Sequence, residues 1–358
     1  MSFIRDVFHF LKRERIWLLL FIFLVLVYSL VSSRSPKSTG KPASGGMEKL
    51  QVAETKLKEE IKNTGGVRQF LNAKPSLFYL FSFFTALLVT VLLSGFVINV
   101  GWVFKPEWRS RILSGAGPPA APTWGLGTVF KVILLFVMGT MSLSFFLALL
   151  KAIFFRSVSP NFFVLLHTTL SDLFCIAFVI GFIIRSGGHW KDLGFRGVRA
   201  GKDFLIGLAG YAAILPYFFL VLFLLVIVVQ ILSYEPPPHP LVEVFLAEER
   251  SPGTIAYSLF LACVAGPLFE EIFFRGFCYP AFKKRWGMGW ALVLSAAFFS
   301  VIHQNLFAFL PVFILGLGLG YLYEKRGTLV SSIALHVIHN TVFIAYFFLA
   351  KEVLMKAG

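Results

Sequence analysis

Nine runs of predominantly apolar residues, each near the length of a membrane-spanning helix, dominate this sequence. A hydrocarbon core of about 30 Å requires about 20 apolar residues in an α-helix. Only 14% of the 358 residues are charged, against roughly 25% in soluble domains, so no single soluble core would bury this apolar surface. The sequence therefore predicts an all-α, polytopic bundle of about eight or nine membrane helices. The runs lie at 16–33, 76–100, 126–154, 161–185, 204–232, 254–280, 289–305, 306–323 and 328–350.

The basic residues indicate orientation in a lipid bilayer rather than binding to nucleic acid. The net charge is +15, but Lys and Arg are concentrated in short loops between apolar runs, the pattern that orients membrane proteins. Loops 186–203 and 283–285 are basic, whereas 233–253 contains one Arg and several Glu. Alternation predicts a multi-pass protein with both basic loops and the N-terminus in the cytoplasm, in the inner membrane if the host is bacterial. Residues 34–75 then lie outside despite nine Lys and Arg, which conflicts with the same rule.

The first half of the chain contains none of the motifs described below. Residues 1–33 form a predicted membrane anchor, with a cleaved secretory signal as the alternative. Residues 34–75 are a predicted polar linker, flexible over 34–47, with a short charged helix over 47–62. Residues 76–185 are membrane helices of unassigned role. They contain His167 and Asp172 at membrane depth, and Asp172 either pairs with Lys151 or Lys131 or lines a cavity.

Two carboxylates and an arginine interrupt the sixth apolar run. Glu270, Glu271 and Arg275 stand in an otherwise apolar helix, where each ionised residue costs roughly 2.5–3.5 kcal/mol at mid-membrane. Glu271 and Arg275 are i and i+4, so they share a helix face and can pair. Glu270 is turned about 100° away, toward a cavity. A purely structural ion pair, with Glu270 protonated, is the alternative interpretation.

The seventh run ends at His303, across a predicted hairpin from Glu270. The turn 284–289 joins the sixth and seventh runs into an antiparallel pair, and Glu270 and His303 are equally far from its centre. At 1.5 Å per residue, both lie roughly 20–25 Å from the turn. The carboxylate and the imidazole can therefore meet and activate a water. Alternatively, His303 is a core residue whose hydrogen bonds are satisfied locally.

The ninth run contains a histidine and an asparagine on one helix face. His336 and Asn340 are i and i+4, and His339 is rotated away from that face. An imidazole and a carboxamide together can donate two hydrogen bonds to a developing oxyanion. The alternative for Asn340 is an interhelical hydrogen bond, since Asn and His commonly join membrane helices.

Together these residues resemble the three motifs of the CPBP family, which includes the type II CAAX prenyl endopeptidases and the Abi bacteriocin-processing and immunity proteins. The resemblance covers roughly 190–345, begins near Leu193-Gly194-Phe195-Arg196, and implies a peptidase domain over 186–350. The matching motifs are Glu270-Glu271-x-x-x-Arg275, Phe299-x-x-x-His303 and His336-x-x-x-Asn340.

The resemblance implies an intramembrane endopeptidase that cleaves a membrane-associated protein or peptide. It also implies a role for each motif residue: water activation for Glu270 and His303, oxyanion stabilisation for His336 and Asn340, and support for Glu271 and Arg275.

The sequence leaves the cofactor and one alternative function open. Members of the family have been described both as metalloproteases and as glutamate-type proteases, and Glu270, His303 and His336 would form a His₂Glu set for Zn²⁺. Because no HExxH motif or Cys ligand set is present, we favour metal-independent chemistry. A catalytically silent protein of the same fold is the second function class: an immunity factor, a scaffold or a transporter component.

Overall fold

Helices account for every regular element in the part of the chain that the structure describes. The computed structural model describes residues 11–34, 44–115, 119, 121–195, 199–233, 245 and 251–357. The all-α prediction is confirmed. Arg196 of the motif beginning at Leu193, and the charged residues of the loop 233–253, lie outside the described residues.

The helices of the N-terminal half begin and end close to the predicted runs. They are α1 Arg15–Arg34, α2 Ser44–Asn63, α3 Val67–Ala73, α4 Pro75–Phe104, α5 Pro106–Leu113, α6 Leu126–Phe154 and α7 Pro160–Arg185.

The C-terminal half follows a short 3₁₀ turn at Trp190–Leu193 and includes two π-helical segments. Its elements are α8 Ala200–Leu232, α9 Pro252–Phe260, π1 Leu261–Ala265, α10 Gly266–Glu271, π2 Ile272–Cys278, α11 Tyr279–Val301, α12 Leu306–Arg326 and α13 Leu329–Ala357.

Seven helical stretches among the described residues are long and apolar enough to cross a membrane. One of them, Pro252–Val301, is 50 residues long and contains both the sixth and the seventh predicted runs. The first run gives a shorter apolar helix at Arg15–Val27, and Pro311 is accommodated inside α12. The prediction of a polytopic membrane protein is therefore confirmed.

The stretch from Pro252 to Val301 folds into the predicted hairpin at Gly287. That residue has a φ of 78° and a ψ of 175°, a left-handed conformation that favours glycine because it has no Cβ. On either side, the rings of Phe274 and Phe299 pack edge to face at 5.2 Å, and Phe273 packs against Phe298 at 6.1 Å. In each pair the two residues lie on opposite sides of the turn at similar sequence distances, as an antiparallel hairpin requires.

The N-terminal helices pack on the rest of the bundle. The Glu14 carboxylate forms an ion pair with Lys131 of α6 at 2.7 Å, and α1 packs against α6. Helix α2 packs against α13, the helix that contains His336. The division of the chain at residues 33 and 75 remains a prediction, but both segments contact the membrane core.

A close approach joins α8 to α13. A Cβ on Gly207 would lie 2.6 Å from the Ser331 carbonyl oxygen and 2.7 Å from the Ala334 side chain, so only glycine allows this spacing. Small residues at such crossings let helix backbones approach where no hydrophobic effect drives association in lipid. The contact fixes the position of α13.

One end of the bundle is held by a buried ion pair between α8 and α12. The Arg326 Nε donates to Asp203 Oδ1 at 2.7 Å, and both side chains are at most 5% exposed. Arg326 Nη1 also donates to the carbonyl oxygen of Ile112, in the last turn of α5, and to that of Ser114, just after α5 ends. Asp203 stands in the first turn of α8, where a carboxylate also interacts favourably with the helix dipole.

We expect Asp203→Ala to destabilise the protein by about 3–5 kcal/mol, because it leaves the Arg326 guanidinium buried without its anion. Thermal unfolding of the purified protein in detergent measures this change. Lys202→Ala is the matched control, since Lys202 is the exposed neighbour on the same turn. Equal unfolding temperatures for the two variants would contradict a stabilising role for the pair.

Candidate active site

The helix that carries Glu270 and Glu271 is irregular on both sides of them. Pro267 has no N–H, and the Gly266 N–H donates to the Leu261 carbonyl, five residues back, instead of four. The π-helical segments π1 and π2 therefore flank the short helix α10. Single-turn π segments are frequent at functional sites. They change which way the following side chains face.

Asn340 of α13 repairs the break in the backbone hydrogen bonding. The Ala262 carbonyl lacks both helix donors that would reach it, because the Gly266 N–H bonds to Leu261 and Pro267 has no N–H. Asn340 Nδ2 donates to this carbonyl at 2.8 Å. An unpaired carbonyl in hydrocarbon costs several kcal/mol, so this bond fixes the register between α13 and π1. The second Nδ2 hydrogen of Asn340 remains available for other acceptors.

A buried network lies directly behind Glu270. Arg275 Nη1 donates to Glu271 Oε1 at 2.8 Å, and Arg275 Nη2 donates to the Gly316 carbonyl at 3.2 Å. His336 Nδ1 lies 3.0 Å from the same Glu271 oxygen. Glu271 and Arg275 are fully buried, and His336 is 2% exposed. The predicted pairing of Glu271 with Arg275 is confirmed, and His336 joins it.

The glycines of α12 bring the Gly316 carbonyl within reach of Arg275. A Cβ on Gly316 would lie 3.0 Å from the Ala296 side chain, and one on Gly320 would lie 3.0 Å from Leu292. Helix α12 therefore packs closely against α11, because glycines four residues apart, here Gly316 and Gly320, let helix backbones approach each other. The carbonyl then serves as a second acceptor for a guanidinium that has no access to water.

Glu270 points away from the buried Glu271–Arg275 pair, as predicted from the positions of the two glutamates on the helix. Its side chain is 32% exposed, and its Oε2 atom lies 3.5 Å from His336 Nε2. His336 therefore faces a carboxylate with each ring nitrogen. Because the Glu271 carboxylate accepts a hydrogen bond from Nδ1–H, the ring is held with Nε2 directed toward Glu270.

His303 forms its hydrogen bond within its own helix end. Its Nδ1 donates to the Phe299 carbonyl at 2.7 Å, and in the described residues it forms no hydrogen bond or ion pair with Glu270. The joint activation of a water by Glu270 and His303 stays a prediction. His336, not His303, contacts Glu270.

The ring of Phe299 connects the two histidines. It packs edge to face against His303 at 4.8 Å and against His336 at 5.6 Å, and the Arg275 guanidinium lies over it at 4.5 Å. His339 faces elsewhere, among the rings of Tyr211, Phe218 and Phe343.

The described residues do not assemble the Zn²⁺ site that the sequence left open. No group of three or more His, Cys, Asp or Glu side chains among them is arranged to hold a metal ion. His336 Nδ1 contacts Glu271, and His303 Nδ1 contacts a backbone carbonyl, so the Nε2 atom of each ring is the one left for another partner. Whether the reaction uses a metal ion stays a prediction.

Two features of the site were missed in the sequence. The Ala262 carbonyl and the Phe299 ring each contact a motif residue, but neither contact was predicted. Pro267, three residues before Glu270, is the signal that would have identified the freed carbonyl, because proline always removes a helix donor.

Comparison with known proteins identifies the same part of the chain. Residues 252–342 match the family model described as Rce1-like, type II CAAX prenyl endopeptidase. The UPF0177 protein YaiF from Lactococcus lactis subsp. lactis (strain IL1403) is 31% identical over 87 residues, which is 23% of this chain and 37% of that protein. No solved structure matches the chain.

The matched segment contains every residue of the three motifs, together with the carbonyls of Ala262 and Gly316. The chain spans little more than a third of the length of its curated relative. The resemblance to the CAAX endopeptidases drawn from the three motifs is thereby confirmed, and it is residues 252–342 that are similar to the Rce1-like family.

Proposed function

We propose that this protein is an intramembrane endopeptidase that hydrolyses a peptide bond of a membrane-associated protein or peptide. The observation that carries the proposal is the 3.5 Å contact between Glu270 and His336, with His336 held from behind by the buried Glu271–Arg275 pair. An ionisable residue inside a membrane span marks a functional site by default. Here two such groups, Glu270 and His336, contact each other, and the Glu270 carboxylate is partly exposed.

Glu270 is the proposed general base. Its side chain is partly exposed, so water can reach it. It also belongs to the span Pro252–Val301, which places it near the peptide of a membrane-associated substrate. It would accept a proton from water as the water attacks the scissile carbonyl carbon, and later deliver that proton to the leaving amine. We propose that substrate approaches from the cytoplasmic side, where the basic turn 283–285 is expected to lie.

His336 and Asn340 are the proposed oxyanion donors. Glu271 holds His336 by accepting from Nδ1–H, and with both ring nitrogens protonated the Nε2–H would point to the space beside Glu270. The second Nδ2 hydrogen of Asn340, four residues further along α13, is the other donor. Preorganised donors in a site without bulk water stabilise an oxyanion strongly because they need no reorganisation. We assign His303 an assisting role at the edge of the site, through Phe299.

Removing the Glu270 carboxylate tests the proposal directly. Glu270→Gln keeps the shape of the side chain but removes the base, so hydrolysis should fall by about 10²–10⁴-fold. One assay measures cleavage of prenylated and unprenylated peptides by the wild type and the variant in proteoliposomes. A second compares the membrane proteomes of cells that express each protein. The control is Glu107→Gln, which makes the same change at an exposed carboxylate in α5.

Two outcomes would count against this mechanism. Full activity in a folded, membrane-inserted Glu270→Gln protein would remove Glu270 as the base. No turnover of any substrate by the wild type would favour the catalytically silent alternative.

Arg275 is a proposed positioning residue that acts through Glu271. Arg275→Ala leaves the Glu271 carboxylate buried without its guanidinium partner, with only the His336 ring beside it, which costs about 3–5 kcal/mol and should lower the amount of folded protein. Abundance in membranes and unfolding in detergent measure this, with Arg109→Ala on exposed α5 as the control. An Arg275→Ala protein that is stable and abundant but inactive would assign Arg275 to substrate instead.

We also propose that hydrolysis requires no bound metal. EDTA and 1,10-phenanthroline should leave the hydrolysis rate unchanged, because the proposed base and oxyanion donors are all side chains. Activity is measured before and after dialysis against each chelator, alongside the metal content of the protein. Inactivation that Zn²⁺ reverses would overturn this part of the proposal.

A further inference from the structure

A third carboxylate faces the site from a helix outside the segment matched to the family. Asp172 lies on α7. Leu165 and Val179, each about two helical turns away on the same face, belong to buried clusters. Leu165 packs with Leu261 and Ala265, before Glu270 in sequence, and Val179 belongs to the cluster of Ile272, after it. Asp172 therefore lies at the depth of Glu270, on the face of α7 directed at it.

A hydrogen bond holds α7 in this register. Thr169, three residues before Asp172, shares a hydrogen bond with the Tyr257 hydroxyl of α9. Residues three apart occupy the same face of a helix, so this bond directs the Asp172 side chain toward α10. Helix α7 packs directly against α10, which contains Glu270, and against π2, which follows it.

No described residue neutralises Asp172. The lysines that the sequence offered as partners are engaged elsewhere: Lys131 pairs with Glu14, and Lys151 donates to the Val158 carbonyl. Arg275 is committed to Glu271. None of these three cations is therefore available to Asp172, and the group that faces Glu270 is the His336 imidazole.

We infer that Asp172 is a substrate-binding residue that selects peptides with Lys or Arg beside the scissile bond. This inference rests on the proposed peptidase function. A carboxylate in an apolar surrounding attracts a cationic group far more strongly than it would in water. A basic side chain bound to Asp172 would gain charge-assisted hydrogen bonds, leave the Glu270 carboxylate free for the attacking water, and place the peptide carbonyl next to it.

The test uses synthetic lipid-anchored peptides in proteoliposomes with the full-length protein. The peptides share one sequence that the wild type cleaves and differ only at the residue next to the scissile bond, which is Lys, Gln or Glu. We expect the wild type to favour Lys over Gln by about tenfold in kcat/KM. Asp172→Asn should abolish this preference, mainly through KM, and Asp172→Lys should reverse it in favour of Glu.

The control is Asp192→Asn, which removes a carboxylate that caps its own 3₁₀ turn by accepting from the His189 N–H. This variant should retain the wild-type preference. A wild type that cleaves the Lys, Gln and Glu peptides equally, or an Asp172→Asn protein with an unchanged preference, overturns the inference and leaves the peptidase function intact. Failure of the wild type to cleave any peptide in the Glu270 experiment would instead contradict the proposed function itself.

Discussion

The Arg275 guanidinium is fully buried in a membrane-spanning segment, and the site depends on how that charge is compensated. An isolated cation there would be expelled, so Arg275 needs an anion and further acceptors within reach. Glu271 supplies the anion from the preceding turn, and Gly316 of α12 supplies a carbonyl. His336 of α13 then meets the same carboxylate. One neutralised pair thus ties together the helices that form the site.

This arrangement also explains why adjacent glutamates play opposite parts. Consecutive residues on a helix are about 100° apart, so a helix that buries Glu271 must turn Glu270 toward a different surface. The π segments on either side adjust that direction, and the carbonyl they release anchors Asn340. The irregular backbone therefore fixes α13 by two contacts, one through Asn340 and one through His336.

Local patterns were sufficient to predict part of this site. The i, i+4 spacing of Glu271 and Arg275 predicted their ion pair, and the turn 284–289 between two apolar runs predicted the hairpin. The contact of Glu270 with His336 could not be predicted in this way, because it joins residues of different helices. For the same reason no local pattern indicated that the Gly316 carbonyl would face Arg275.

Contacts between distant parts of the chain had no sequence signal. Asp172 was recognised as an unusual intramembrane carboxylate, but its neighbour Glu270 is nearly a hundred residues away, and only helix packing brings them together. The packing of α2 on α13 was likewise not predicted, because a polar linker composition says nothing about tertiary contacts.

The site as described depends on one hydrogen bond, by which buried Glu271 holds His336 at Nδ1–H and directs Nε2 toward Glu270. Solid-state ¹⁵N NMR of the histidine-labelled protein in lipid bilayers measures this bond, with the His336→Asn variant identifying the signal. We expect a protonated, strongly hydrogen-bonded Nδ1 in the wild type and a clear change of that signal in Glu271→Gln. An unprotonated Nδ1, or a signal that Glu271→Gln leaves unchanged in folded protein, would contradict it.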